Sequence, residues 1–356
     1  MRKNRQRKQD QTKPAIKPQR ILVLMHETLV PPDSLKGYSP KQILEFRSEY
    51  DVVRQLRELG HEVRALGIGN DLEPLRKAIV EWKPHIAFNL LEEFNGIVSY
   101  DQHVVAYLEL MQQRYTGCNP RGLMLSRDKS LAKKILAHHG ILTPSFAVFP
   151  HKKRVTVPKT LKYPLFVKST IDDASLGISR ASIVTNAEKL KERVAFIHQH
   201  TGSDALVEEY IEGRELYVPV FGNDKPVTYP VWELSVVKST GNKPFIATRQ
   251  IKWNAAYRAK HDIDSHPAAD LSAILKKHIN AVSIDAYRAL SLSGYARLDF
   301  RLSKDGKLYL LEANANPNLS ADEDTAASAA AAGDDYATLL SKILKLGRSY
   351  KAAWTG

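Results

Sequence analysis

The sequence has almost no cysteine and no long apolar run, which excludes several classes of protein. Cys118 is the single cysteine among 356 residues, so no internal disulfide can form and a reducing compartment is expected. No apolar run approaches the roughly 20 residues of a membrane-spanning helix. The basic N-terminus is not followed by an apolar core within its first twenty residues, so no secretory signal is expected. We therefore predict a cytoplasmic protein without a membrane segment.

Acidic residues are outnumbered, and the imbalance is concentrated at the N-terminus. The chain has 52 lysines and arginines against 39 acidic residues, a net charge of +13. Residues 1–20 hold eight basic residues and one aspartate, which accounts for +7 of that total. This arm lacks apolar periodicity and aromatic residues, so we predict that residues 1–19 are disordered. The arm could solubilise the protein or touch nucleic acid nonspecifically through charge, and no other nucleic-acid contact is expected.

The order of apolar segments indicates more than one domain, which a chain of this length allows. The first part, over 20–120, alternates strands at 20–25, 61–68 and 84–89 with helices at 40–59, 72–82 and 101–113. This β-α-β order predicts a parallel sheet with helices on its faces. No G-x-G-x-x-G follows the first strand, which argues against a hydride-transfer enzyme.

The rest of the chain favours mixed α+β units. Predicted helices lie at 128–140, 187–200, 268–290 and 334–346, and predicted strands at 141–149, 163–168 and 205–211. Several antiparallel-type strands follow residue 214, and the alanine-rich stretch at 326–332 favours helix.

The most informative stretch is a hairpin pattern over 294–320. Alternating segments flank Asp305-Gly306, a strong signal for a tight turn between antiparallel strands. Because side chains alternate faces along a strand, Arg297, Asp299 and Arg301 are predicted to share one face of the first strand. On the second strand, one face is predicted to hold Leu310, Glu312 and Asn314.

These hairpin residues offer only oxygen as a metal ligand. Asp299, Glu312 and Asn314 have no cysteine or histidine beside them, and such a set suits Mg²⁺, which takes carboxylates, waters and phosphate oxygens. A surface hairpin with solvated charges is the other interpretation. Against it, an apolar strand rarely ends on acidic side chains without a partner for them.

The stretch resembles the metal-binding end of ATP-grasp ligases, most closely the D-alanine–D-alanine ligase branch, and the likeness covers roughly residues 84–320. That branch carries R-x-D on one strand and E-x-N-x-x-P on the next. The resemblance implies a parallel-sheet domain over 20–120, then a two-subdomain ATP-grasp fold over 121–213 and 214–348. It also implies ATP and Mg²⁺ or Mn²⁺ as cofactors. In this family ATP phosphorylates a carboxylate, and an amine attacks the acylphosphate.

The resemblance implies roles for residues at matching positions. Lysines would bind the phosphates of ATP, although each lysine could instead be solvated at the end of its element. A hinge would contact adenine and Glu215 would hold the ribose, although this segment could instead be an edge strand with a solvated acidic turn. The implied ATP contacts are Lys129, Lys168, Glu208, Glu209, Tyr210, Ile211 and Glu215, and the implied metal ligands are Asp299, Glu312 and Asn314. The implied catalytic residues are Arg297, Lys252, Ser175 and Gly177.

Two of these implied catalytic features have alternatives or departures. Arg297 would stabilise charge on the tetrahedral intermediate, but it could also form a salt bridge with Asp299 or Glu312. The loop at 169–179 would cover the phosphates, yet residues 173 and 174 are aspartate and alanine where the family has glycine and serine.

The implied substrate positions depart furthest from the family. Glu27 and Glu92 follow the first and third strands, and Glu92 replaces a usual histidine. Asn318 replaces a usual glycine, and Glu323 falls near a usual serine that helps to hold the second substrate's carboxylate. A carboxylate repels another carboxylate, so we predict an altered acceptor such as an amine or guanidine.

Three functions stay open from the sequence. They are a carboxylate–amine ligase with an altered acceptor, a true D-alanine–D-alanine ligase, and a nucleotide-binding protein without catalysis. The expected partners are small carboxylates and amines, and a homodimer is compatible with the sequence.

Overall fold

The structure is a computed structural model that describes residues 17–153, 155–156, 159–171, 178–236 and 263–355. Three of the predicted catalytic residues, Ser175, Gly177 and Lys252, lie outside the described residues, as does the arm before residue 17. No helix in the described part of the chain has the length and apolar character needed to cross a membrane.

A parallel sheet opens the chain, as predicted. Strand β1 (Arg20–His26) lies between β2 (Glu62–Ile68) and β3 (Ile86–Asn89). The five residues inside β1 are fully buried, because helices cover both faces of the sheet. These helices include α2 (Arg47–Glu58), α3 (Glu73–Lys77) and α4 (Asp101–Leu110), whereas α1 (Pro40–Glu45), just before α2, buries none of its residues.

The prediction of one helix over 40–59 is wrong, because the helix breaks at Phe46. The backbone of Phe46 leaves the helical region at φ −120° and ψ 21°. Its buried ring meets Tyr38 edge-on, with centroids 5.5 Å apart. Tertiary packing here overrides the local helical pattern. Helix α3 likewise ends early and continues as one π-helical turn over Ala78–Trp82.

Two helices, α5 (Pro120–Arg127) and α6 (Lys129–His138), lead to the central sheet. Helix α5 was not predicted, although Asn119-Pro120 is a typical start: the Asn119 side chain accepts from the Gly122 N–H, and proline occupies the first turn. The central antiparallel sheet has the order β4-β7-β5-β6 and packs on α7 (Ala187–Thr201). Its strands are β4 (Phe146–Phe149), β5 (Leu165–Ser169), β6 (Ile183–Val184) and β7 (Ala205–Glu209).

The third sheet carries the predicted hairpin, which is confirmed as β12 and β13. The sheet is antiparallel in the order β11-β10-β8-β12-β13, with β9 added to β8. Its strands are β8 (Gly213–Phe221), β9 (Val227–Thr228), β10 (Trp232–Val236), β11 (Ile263–Pro267), β12 (Tyr295–Ser303) and β13 (Leu308–Ala315). Helix α8 (Ala273–Ala289) packs on its apolar face.

The two ends of the described chain share a core. Helices α9 (Asp324–Ala331) and α10 (Tyr336–Ser349) return to the first sheet, where Leu340 and Ile343 pack with Val52 and Phe88. This core joins residues on both sides of 120 and 213, and the boundaries at 120, 213 and 348 stay predictions. The packing brings the hairpin close to the first sheet.

Candidate functional site

Strand register places the charged side chains of the third sheet in rows. Asp299 on β12 pairs with Glu312 on β13 and with Tyr217 on β8. Arg297 pairs with Asn314 one step along the hairpin. Directly opposite residues in a sheet share a face, so the three predicted metal ligands lie together on one face.

The prediction that Leu310 shares this face is wrong. Glu312 pairs with Asp299, but Leu310 pairs with Phe300, so Leu311 is an extra residue and forms a β-bulge. The bulge shifts the alternation, and Leu310 is buried with Phe300 in the apolar core. The two ligands on β13 keep their predicted face because both lie beyond the bulge.

Arg297 and Asp299 form a bidentate ion pair. The Nε–Oδ1 and Nη2–Oδ2 distances are 2.7 and 2.9 Å, and the guanidinium lies 4.7 Å from the Tyr217 ring centroid. Burial lowers the pKa of Arg297, but Asp299 outweighs it and holds that pKa well above its ordinary value. Asp324 adds to this rise, so α9 brings a second carboxylate toward Arg297. The alternative salt-bridge role of Arg297 is therefore present in the structure.

The donor set of the hairpin fits a hard cation. Asn314 Nδ2 is buried without a hydrogen-bond partner, and a half-turn of the amide presents its oxygen at the same place. No group of three or more His, Cys, Asp or Glu side chains in the described residues has metal-site geometry. Two carboxylates with one amide oxygen, and no softer ligand, match the preference of Mg²⁺.

A chain of alternating buried charges runs from α6 to the hairpin. Lys133 Nζ lies 2.9 Å from Glu208 Oε2, and Lys168 Nζ lies 3.0 Å from Glu208 Oε1. Lys168 also lies 4.0 Å from Glu312 Oε2. Burial raises the pKa of Glu208, but the two lysines outweigh it and lower that pKa below its ordinary value. The row of charges joins the central sheet to β13, which carries Glu312.

Lys133 was missed from the sequence, although a signal was present. It lies four residues after Lys129 on α6, so both are on the buried face with Leu136, whereas Lys134 is exposed. Lys129 begins the helix, and its backbone N–H donates to Thr170 O at 3.0 Å. Because Thr170 follows Lys168 by two residues, this contact places Lys129 beside the end of β5.

The predicted hinge connects β7 to β8. The N–H groups of Glu209 and Tyr210 donate to Ser145 O and Pro164 O, and Ile211 is half-buried. The chain therefore crosses between the two sheets along a path fixed by backbone hydrogen bonds.

Glu215, the predicted ribose ligand, is held by its neighbours. Arg301 Nη2 lies 2.5 Å from Glu215 Oε2, and Tyr217 Oη donates to Glu215 Oε1 at 2.8 Å. Arg301 also donates to Gly213 O. Strand alternation put Arg301 on the correct face, but its partner depended on the pairing of β8 with β12, which the sequence did not reveal.

The predicted substrate residues at the first sheet lie at its carboxyl edge. Glu27 is exposed and packs over Gly69, where a Cβ would come within 2.4 Å of Glu27 Oε1. Glu92 faces Glu49 on α2, a residue that the sequence did not single out. Glu49 is only 7% exposed, and its carboxylate accepts from its own backbone N–H. Burial, followed by Glu92, raises the pKa of Glu49 to about 7.

The other two predicted substrate residues precede α9. Asn318 Oδ1 accepts from the Ser320 N–H at 2.7 Å, and Glu323 immediately precedes the helix. Asp322 and Asp324 stand on either side of Glu323, which makes three consecutive carboxylates.

Backbone contacts dock the end of the hairpin on the first sheet. The Cys118 N–H donates to Asn316 Oδ1 at 2.7 Å. Gly294 has a φ of 69°, and a Cβ there would lie 2.4 Å from Gly117 O, so only glycine fits. The hairpin, Glu92 and the start of α9 are thus brought together, whereas Glu27 lies over Gly69.

Comparisons with known proteins agree with this architecture. A family profile described as "D-ala D-ala ligase C-terminus" matches residues 135–345. A D-alanine–D-alanine ligase of Lawsonia intracellularis is 30% identical, with 87% of this chain and 95% of that protein covered. The uncharacterized protein y4sG of Sinorhizobium fredii is 30% identical, with 82% and 85% covered.

A solved structure confirms the predicted fold class. The D-alanine–D-alanine ligase of Bacillus anthracis complexed with ATP superposes with a TM-score of 0.70 at 23% identity, covering 92% of this chain and 97% of that one. The predicted enzyme class is confirmed by the same relatives. The chain belongs to the D-alanine–D-alanine ligase family, whose ATP-grasp enzymes are ADP-forming carbon–nitrogen ligases.

Proposed function

We propose that this protein joins a carboxylate to an amine through an acylphosphate, and that its acceptor carries a positive charge where D-alanine carries a carboxylate. The supporting observation is the run Asp322, Glu323 and Asp324 at the start of α9, with Asp324 close enough to Arg297 to raise its pKa. A second D-alanine would bring its carboxylate toward these three acids and be repelled. An amine or guanidine on the acceptor would be attracted.

The proposed roles of the ATP-site residues follow from charge and position. Lys129 and Lys168, at adjoining ends of α6 and β5, would neutralise the phosphates of ATP during transfer. Arg297 stays protonated through its pairing with Asp299 and would stabilise the charge on the tetrahedral intermediate. Glu208 and the hinge at Glu209–Ile211 would contact adenine, and Glu215 would hold the ribose. Lys252, Ser175 and Gly177 stay predictions.

Mg²⁺, or Mn²⁺ in its place, would be held by Asp299, Glu312 and Asn314. Bound there, the ion supplies positive charge to the phosphates. Ion-paired Asp299 retains lone pairs on both oxygens, so Arg297 does not prevent coordination. The cytoplasmic location and the homodimer stay predictions.

The alternative is a true D-alanine–D-alanine ligase, which the name of the Lawsonia relative favours. ADP release by the purified protein with Mg²⁺ should be screened across amino acids, amines and guanidines. We expect release with a cationic acceptor and little with D-alanine alone. Robust release with D-alanine alone would overturn the altered acceptor, and ATP binding without any turnover would support a nucleotide-binding protein.

A further inference from the structure

We propose that Lys133 is a positioning residue for ATP, because it keeps Glu208 ion-paired and thereby allows Lys168 to leave Glu208 for the phosphates. This inference rests on the proposed function, in which Lys168 binds phosphate. No such role was predicted for Lys133 from the sequence.

The geometry divides the two oxygens of Glu208 between two cations. Lys133 contacts Oε2 at 2.9 Å and Lys168 contacts Oε1 at 3.0 Å. The Lys133 and Glu208 side chains are 2% and 4% exposed, so water does not stabilise either charge. A buried carboxylate that loses its only cation is strongly destabilised. With Lys133 in place, Glu208 still has a cation after Lys168 departs.

Lys133 is unsuited to bind the nucleotide itself. Its side chain is more enclosed than that of Lys168, which is 7% exposed, and its ammonium faces Glu208 from α6. Burial, and secondarily repulsion from Lys168, lower the pKa of Lys133. Departure of Lys168 relieves that repulsion, so the move favours the remaining pair. Lys133 therefore acts through Glu208 and not by contact with ATP.

Loss of the Lys133 charge should make Lys168 harder to release. In Lys133→Met, Lys168 becomes the only cation on Glu208 among the described residues, and ATP must break that pair. We expect MgATP to bind roughly tenfold to a hundredfold more weakly by titration calorimetry. Adenosine has no phosphates and does not need Lys168, so its affinity should change by less than about threefold. Lys134→Met, which removes the exposed neighbouring lysine, should leave both affinities unchanged.

A double variant separates positioning from mere structural support. In Lys133→Met with Glu208→Gln, Lys168 has no carboxylate to abandon at this position, and the glutamine oxygen can still accept from adenine. We expect its MgATP affinity to recover to within about threefold of Glu208→Gln alone. The double variant also has no buried negative charge at position 208. It can therefore be tested even where Lys133→Met does not fold.

Three outcomes would overturn the inference. MgATP binding by Lys133→Met that equals the wild type removes the role of Lys133. Equal weakening of adenosine and MgATP, or losses that add in the double variant, would assign Lys133 to structural support only. Wild-type protein that fails to bind MgATP at all would sink the proposed function together with this inference, whereas the first two results leave the proposed function standing.

Discussion

The proposed nucleotide half of the site and the proposed acceptor edge are built differently. In the nucleotide half, Lys168, Glu208, Arg297 and Asp299 lie on strands, and each charge is matched by an opposite one within 3.0 Å. At the acceptor edge, carboxylates come from α2, from the loop after β3 and from the start of α9. There Glu49 faces Glu92, and burial followed by this second carboxyl raises the pKa of Glu49.

This difference assigns separate tasks to the two regions. Sheet register fixes the nucleotide half, because moving one charge would require a shift of a whole strand. Loops and helix ends can exchange side chains without disturbing the sheets. Under the proposed function, chemistry with ATP would therefore depend on the strands, and acceptor choice on the edge.

The largest expected effect is at the proposed metal-binding face, which carries Asp299, Glu312 and Asn314. Asp299→Asn removes a ligand charge and frees Arg297 from its pair, so we expect ADP release to fall about a thousandfold while ATP affinity changes far less. The measurement is steady-state ADP release with the best substrate pair from the screen, alongside ATP titration. Asp305→Asn, in the exposed turn of the same hairpin, is the matched control and should behave as the wild type. Unchanged turnover in Asp299→Asn would remove Asp299 from the metal site.

The second effect concerns stability at the acceptor edge. Burial first, and then Glu92, raise the pKa of Glu49 to about 7 from its ordinary value of 4.5. Between pH 4.5 and 7, the folded protein therefore keeps a proton on Glu49 that the unfolded chain has released. The stability of the protein falls as pH rises through this range. The difference between the two pKa values corresponds to about 3 kcal/mol of folding stability, and this stabilisation should be absent above pH 7.

Glu49→Gln should remove this pH dependence. We compare the free energy of unfolding of the variant with that of the wild type. From pH 4 to pH 8 this difference should shift by up to about 3 kcal/mol in favour of the variant. Urea unfolding between pH 4 and 8 measures the difference, and exposed Glu45→Gln on α1 is the control. A difference that does not vary with pH would mean that Glu49 has the same pKa in the folded and unfolded states.

The same division decides what the sequence could predict. Strand alternation and the Asp305-Gly306 turn were enough to place Arg297, Asp299 and Arg301 on one face. They could not place Leu310, because a bulge leaves no mark in the apolar pattern. Pairing between distant elements was equally hidden, since Lys133 meets Glu208 only when α6 packs on the central sheet.

Glu49 and Phe46 were missed for the same physical reason. Both lie in a stretch whose local pattern reads as helix, and only packing against the rest of the protein buries the Glu49 carboxyl and breaks the helix at Phe46. Residues that depend on local alternation were predictable, whereas residues that depend on which surfaces meet were not.

The smallest expected effect tests the acceptor edge directly. Glu323→Ser removes one of three adjacent carboxylates and supplies a hydroxyl that can donate to a substrate carboxylate, so kcat/KM for D-alanine should rise about tenfold. Use of a cationic acceptor should fall by a similar factor. Glu188→Ser, an exposed acid in the first turn of α7, is the matched control and should change neither value. Because the strands are untouched, ATP affinity should stay constant. A change in ATP affinity with no change in acceptor preference would instead place Glu323 in the nucleotide half, and the two regions would then not have separate roles.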